Sequence, residues 1–177
     1  MLLLDRHRVR RKAPGIASAV IHSYREGKES PGRRRGDAWE TAIMHLEYVV
    51  VGVPISNQST GSTALQAWRT VVEAEAKKNW TGVPLTGKLK VVLINFHTGA
   101  KPSLDLDNMS KPILDVMQKI VYDDDRQIRQ AELTHVRIDA PFVFVGASKL
   151  IVAAVQAGNE FVYVRIEDPV DPFPLPK

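Results

Sequence analysis

The chain has 177 residues, 44% hydrophobic and 25% charged, the proportions of one folded domain rather than a disordered chain. It holds no cysteine, which excludes disulfide scaffolds, thiol nucleophiles and cysteine-ligated metal centres and suits a reducing cytoplasm. No run reaches the roughly eighteen apolar residues of a membrane span, and Met1-Leu2-Leu3-Leu4 followed at once by Asp5-Arg6-His7-Arg8 has the wrong order and length for a secretory signal.

The net charge of +4 is unevenly placed. Residues 1–36 carry ten Lys/Arg against Asp5, Glu26 and Glu29, a net of +7, so the remainder is slightly acidic. Such an arm is either an electrostatic contact for phosphates or a passive leader. A strand is expected over 46–53, where β-branched residues run up to Pro54. A polar loop over 56–61 follows. Ser62 is placed to N-cap a helix ending near Asn79, whose apolar face is Leu65, Trp68, Val72 and Ala76. A second strand over 89–96 carries Val91, Val92, Leu93 and Ile94, apolar on both faces as a central strand requires. Pro112 lacks an N–H and belongs in a first turn. A second helix is therefore expected to start near 108–110 and run to about Val121, burying Ile113, Leu114, Met117, Ile120 and Val121. A third strand over 133–138, a short helix over 148–157 closed by Gly158, and a last strand over 161–166 complete the pattern. Pro169, Pro172, Pro174 and Pro176 exclude regular structure from the tail. The organisation is thus a basic arm over 1–42, a domain over 43–167 and a Pro-rich tail over 168–177. The domain is α+β with α/β-like alternation, a mixed sheet of about four strands with two to three helices.

The chemistry is concentrated after the second strand. Asp105 and Asp107 stand two apart, and in an extended segment both carboxylates would point to one side. The helix that follows returns the chain, so Asp123-Asp124-Asp125 is expected to come back toward that pair. Converging carboxylates repel one another unless a cation sits among them, and all-oxygen donors without cysteine favour Mg²⁺, with Mn²⁺ as the alternative. Such an ion can polarise a phosphodiester, and Lys111, one turn into the helix, could reach charge developing in the transition state. Simpler roles exist as well. Asp107 or Asn108 could cap the helix, Asp115 could pair with Lys111 at i,i+4, and one of Asp123–Asp125 could be solvated loop. Asp105 has no such capping role in this reading. His97 ends the central strand, and both it and His135 read as ordinary polar residues rather than catalytic helpers. Trp39, Trp68 and Trp80 read as packing rather than base-stacking residues.

Three familiar explanations of a D-x-D pair fit this chain poorly. A calcium loop starting at Asp105 needs Gly at its sixth position and Glu at its twelfth, where this chain has Ser110 and Val116. A haloacid-dehalogenase-type phosphatase places its D-x-D directly after the first buried strand, whereas this one lies past mid-chain behind the loop over 98–104. A metal-dependent glycosyltransferase needs a nucleotide-binding domain larger than this chain supplies.

The strings Lys101-Pro102-Ser103-Leu104-Asp105-Leu106-Asp107-Asn108-Met109-Ser110-Lys111, then Asp115, then Val121-Tyr122-Asp123-Asp124-Asp125-Arg126-Gln127-Ile128 resemble the hallmark of the RusA family of Holliday junction resolvases. The likeness spans about 46–138 and extends less strongly to 167. It implies that Asp105, Asp107 and Asp125 are the metal-binding aspartates, with Asp124 in the neighbouring acidic position, and that Lys111 is the essential lysine. It further implies a Mg²⁺-dependent endodeoxyribonuclease that nicks four-way junctions in pairs, in recombination and repair; because a junction presents two equivalent strands and one domain supplies one set of aspartates, paired nicking calls for a homodimer. The product ends would be a 5′-phosphate and a 3′-hydroxyl, and the setting the cytoplasm of a bacterium or a phage-infected cell. Two features depart from the family. The loop over 55–60 after Gly52-Val53-Pro54 has no charge where members often carry Arg or Lys, and the basic leader lies outside the family core. The competing readings are a metal-dependent phosphatase of small esters and a catalytically silent nucleic-acid-binding protein. For a dimer interface, the apolar Phe142-Val143-Phe144-Val145 and Leu150-Ile151-Val152-Ala153-Ala154-Val155 are the candidates.

Overall fold

The computed structural model describes residues 43–59, 61–144 and 146–172. The basic arm, Trp39, Val145 and the tail beyond Pro172 lie outside the described residues. The elements are β1 (Met44–Val51), α1 (Thr63–Asn79), β2 (Leu89–His97), α2 (Leu106–Met117), β3 (Ile128–Arg137), α3 (Lys149–Gln156) and β4 (Phe161–Glu167), with a single 3₁₀ turn, Asp125–Gln127, before β3. They form the expected α+β arrangement, a mixed four-stranded sheet in the order β1-β4-β2-β3 with three helices. β2 and β3 are parallel, while β4 pairs antiparallel with both β1 and β2.

Local chemistry sets most of these boundaries. β1 alternates, with Leu46, Tyr48 and Val50 buried, and stops at Val51 rather than 53. Gly52 turns the chain there with a positive φ of 122°, a conformation that side chains resist. Ser62 caps α1 by accepting from the Leu65 amide at 3.1 Å, and the buried residues of α1 are the expected four. Ser148 caps α3 in the same way. β2 is interior and buried on both faces, as its continuous apolar run requires. β3 begins five residues earlier than expected. It is an edge strand, and its first half, through Glu132, is too polar to show an apolar alternation.

α2 differs most from expectation. It starts at Leu106 and passes through Pro112 in its interior. The proline leaves the carbonyl of Asn108 without its helical donor, and the amide of Asn57, from the loop after β1, donates to it at 3.1 Å. The helix ends at Met117, because Lys119 adopts a positive φ of 70° and the Ile120 and Val121 amides fold back onto the Met117 carbonyl. Val121 is still buried in the core and Ile120 packs against it.

α1 and α2 cover one face of the sheet. Trp68, Val72, Met109, Ile113 and Met117 pack there on Leu46, Tyr48, Leu93 and Val164, with Trp80 against the rim. The other face carries a smaller core of Phe96, Phe161, Tyr163, Ile151 and Val155, in which Phe96 and Phe161 stack at 4.4 Å. Phe142, Phe144 and Leu150 pack against that core. The apolar segments expected at a dimer interface are therefore largely spent on the chain's own second core, with Val143 left exposed. Among the described residues no helix is long and apolar enough to cross a membrane.

Leu93 is fully buried in the central strand. Leu93→Ala should cost about 2–5 kcal/mol of stability through lost burial and a residual cavity. The shift is read as a lower urea midpoint with an unchanged slope.

Candidate active site

The start of α2 places the first two aspartates. Asp105 occupies the N-cap position, yet its side chain makes no capping hydrogen bond. Asp107 lies in the first helical turn. Both are exposed, and among the described residues neither carboxylate has a hydrogen bond or ion pair. This corrects two expectations. The segment is helical rather than extended, so the pair does not share a strand face, and neither Asp107 nor Asn108 is the cap. The partial positive charge of the helix N-terminus favours both carboxylates where they stand.

Behind Asp105 lies a polar cluster at the C-terminal ends of β2 and β3. Asn95 Nδ2 meets His135 Nδ1 at 3.1 Å, and the His97 and His135 rings meet edge-on at 5.8 Å. His97 is buried, and its Nδ1 meets the Thr98 carbonyl at 3.1 Å. His135 feels the charge of Asp105. Burial first, and then His97, hold its imidazole below the usual range, while Asp105 and the Leu104 backbone pull the other way.

The second acidic group sits elsewhere. Asp124 caps the 3₁₀ turn, and both of its oxygens are engaged by Arg126, Nε at 2.9 Å and Nη2 at 2.7 Å. Those bonds hold its carboxyl well below the usual carboxylate range. Gln127 fastens the loop. Its Oε1 accepts from the Asp123 and Asp124 amides at 2.9 and 2.8 Å, and its Nε2 donates to the Leu85 and Gly87 carbonyls at 2.7 and 2.9 Å. Asp125 is exposed, and its charge acts on Tyr122. Burial raises the Tyr122 phenol far above its ordinary value, and the charges of Asp125 and Asp115 raise it further. Its hydroxyl donates to the Leu114 carbonyl at 2.7 Å.

The two groups do not converge within one chain. Asp105 lies beside His135, near the end of β3, whereas Asp125 precedes Ile128 at its start. Seven residues of strand at roughly 3.3 Å each separate these levels by about 20 Å. Among the described residues no three His, Asp or Glu side chains are grouped to hold a metal ion. The expected return of Asp123–Asp125 to the Asp105 pair is thus not met. β3 runs parallel to β2, so it starts at the opposite end of the sheet from the loop that follows β2.

Along α2 a stripe of charge joins the two regions. Lys111 follows Asp107 by one turn and donates to Asp115 Oδ1 at 2.7 Å. Arg69 of α1 reaches Asp115 Oδ2 and Asn57 Oδ1, each at 3.5 Å. Arg69 was missed in the sequence. The available signal is its place directly after buried Trp68, a cation on the border of an apolar helix face.

As a donor set, Asp105 and Asp107 suit a hard divalent ion. They are uncommitted oxygen ligands on a rigid helix start, and Mg²⁺ commonly takes only one or two carboxylates together with substrate phosphates. Asp124 is committed to Arg126 and fits that role poorly.

The start of α2 thus carries two exposed, uncommitted carboxylates, with Lys111 one turn along the same helix. A family model described as Endodeoxyribonuclease RusA matches residues 55–146, which includes α1, β2, the whole acidic stretch, α2 and β3. The chain belongs to this family of endodeoxyribonucleases. A search among curated proteins found no match.

Gln127→Ala removes four hydrogen bonds, takes the side-chain donor from the Gly87 carbonyl and leaves the Leu85 carbonyl only the long 3.4 Å bond from the Asp123 amide. It should cost about 2–4 kcal/mol, measured as a lower urea midpoint, and should speed hydrogen exchange at the Asp123 and Asp124 amides.

Proposed function

We propose that this protein is a Mg²⁺-dependent, structure-specific endodeoxyribonuclease that resolves four-way DNA junctions by paired nicking. The observation that carries the reading is the pair of uncommitted carboxylates at the start of α2, one turn from Lys111, in a chain of this nuclease family.

Asp105 and Asp107 would hold the ion, with Asp125 as a further ligand. Bound there, Mg²⁺, or Mn²⁺ in its place, would neutralise charge on the scissile phosphodiester. Lys111, held in place by Asp115, meets the negative charge that grows on the phosphoryl oxygens as water attacks in line. The bond to the 3′ oxygen breaks, leaving a 5′-phosphate and a 3′-hydroxyl.

The separation of Asp125 from Asp105 within one chain supports a homodimer. β3 is an edge strand. A second copy related by a two-fold axis and running antiparallel along that edge would bring the Asp125 of each protomer toward the Asp105 end of the other. Two such sites also match the two symmetry-related strands that a junction presents. The domain over 43–167 carries this machinery, and the cysteine-free chain suits the cytoplasm.

The test is incubation with a synthetic four-way junction, a linear duplex of matched sequence and p-nitrophenyl phosphate, each with and without Mg²⁺. Junction cleavage only with Mg²⁺ supports the reading. Hydrolysis of the small ester alone points to a phosphatase, and binding without any cleavage to a silent nucleic-acid-binding protein.

Asp105→Asn, Asp107→Asn and Asp125→Asn should each lower cleavage by about a thousandfold or more while junction binding persists, because the charge and not the shape is lost. A variant that cuts at near wild-type rate removes that residue from the ligand set. Deleting residues 1–36, which hold all ten basic residues of the arm, should leave a folded nuclease, since β1 starts at Met44. If the arm touches phosphates, the salt dependence of binding should flatten by about 0.9 per lost contact. An unchanged slope marks the arm as a passive leader.

A further inference from the structure

Arg69 is a cation beside the charged stripe of α2 for which neither the sequence motif nor the proposed chemistry has a use. Its side chain is 32% exposed, wedged between α1 and α2. Its Nε is buried without a hydrogen-bond partner. Its Nη2 contacts with Asn57 and Asp115 are both 3.5 Å, long against the 2.7–2.9 Å typical of a well-made charged pair. Lys111 meanwhile takes the other oxygen of Asp115 at 2.7 Å. One carboxylate therefore serves two cations, and the group keeps one net positive charge. A guanidinium so poorly satisfied, one-third exposed between two helices, has donors to spare for an anion with several oxygens.

The position suggests which anion. Lys111 shares a face of α2 with Asp107, about 6 Å further along the helix axis. A phosphate seated between Arg69 and Lys111 would lie along α2 from a group held at Asp107, in the line that a nucleic-acid backbone would take. Asn57 joins the notch to the start of α2, because its amide donates to the Asn108 carbonyl.

We propose that Arg69 and Lys111 form a phosphate-binding notch for the DNA strand being cut. In the free protein Asp115 holds both cations in place, and it yields them in part to the backbone phosphate on binding. This inference rests on the nuclease reading above and assigns a backbone contact to that same site. The simpler role for the three residues is a tie between α1 and α2. The two roles differ in the effect of neutralising Asp115. A tie is weakened with no change in DNA affinity, whereas a notch loses its internal competitor and binds phosphate better.

The experiment is fluorescence anisotropy of the full chain with a labelled synthetic four-way junction in EDTA, over a series of KCl concentrations, with a thermal melt of each variant. Arg69→Met should weaken binding about tenfold, the worth of one charged contact. It should also lower the slope of log affinity against log salt by about 0.9. Arg69→Lys should keep most of the slope. Asp115→Asn should bind several-fold more tightly. Lys77→Met, which breaks the exposed Lys77–Glu73 pair on the same helix, should match wild type. The proposal is overturned if Arg69→Met and Asp115→Asn melt lower but keep wild-type affinity and slope. Should Arg69→Met fail to fold, Arg69→Lys and Asp115→Asn decide by the same measures. A wild-type chain that neither binds nor cuts junctions removes the nuclease reading and this inference together. A wild-type chain that cuts in Mg²⁺ while the variants bind unchanged removes the inference alone.

Discussion

The parallel pairing of β2 with β3 is the constraint on which the rest of this structure depends. Parallel neighbours cannot be joined by a tight turn, so the chain must leave the end of β2, travel back the length of the sheet and start again. α2 makes that journey, and its buried face of Met109, Ile113 and Met117 seals the larger core while doing so. The acidic residues fall at the two ends of the crossover. Asp105 and Asp107 stand where α2 begins, and Asp125 stands where β3 begins. The geometry that gives the domain its core thus also parts its candidate ligands within one chain, and it makes an edge-strand partner a natural way to reunite them.

Two hydrogen-bonding devices hold the ends of the crossover. At its start, the Asn57 amide occupies the carbonyl that Pro112 leaves without a helical donor, which ties the loop after β1 to the first turn of α2. At its finish, the Gln127 side chain bridges the amides of Asp123 and Asp124 to the carbonyls of Leu85 and Gly87. Each device satisfies backbone groups that would otherwise be costly to leave unpaired. Each also lies beside an exposed aspartate. The carboxylates are carried on backbone that is locked by neighbouring strands and helices, which is the support a charge-binding site needs in order to keep its shape when charge arrives.

Charge is distributed in the same spirit. Asp115 and Asp124 are matched with cations, whereas Asp105 and Asp107 are left to solvent at a helix start. The distinction is not one of residue type or local motif. It follows from whether a cation on a neighbouring turn or helix can reach the carboxylate: Arg126 reaches Asp124, Lys111 and Arg69 reach Asp115, and among the described residues no side chain reaches Asp107.

Much of this was legible in the sequence. The helical spacing of Leu65, Trp68, Val72 and Ala76, the Ser62 and Ser148 caps and the doubly apolar run of β2 are local signals. Periodicity and capping act within a few residues, so the sequence by itself determined the class of fold, most of its elements and the acidic residues that mark its family. The tertiary structure decided what depends on residues far apart in the chain. Asn57 allows α2 to begin at Leu106 with Pro112 inside it. Pairing with buried β2 holds the polar first half of β3 in the sheet. The second core claims Phe142, Phe144 and α3. Above all, strand direction, which no local pattern encodes, decided that the aspartates stand at opposite ends of the sheet and that a cation from α1 lies beside Lys111.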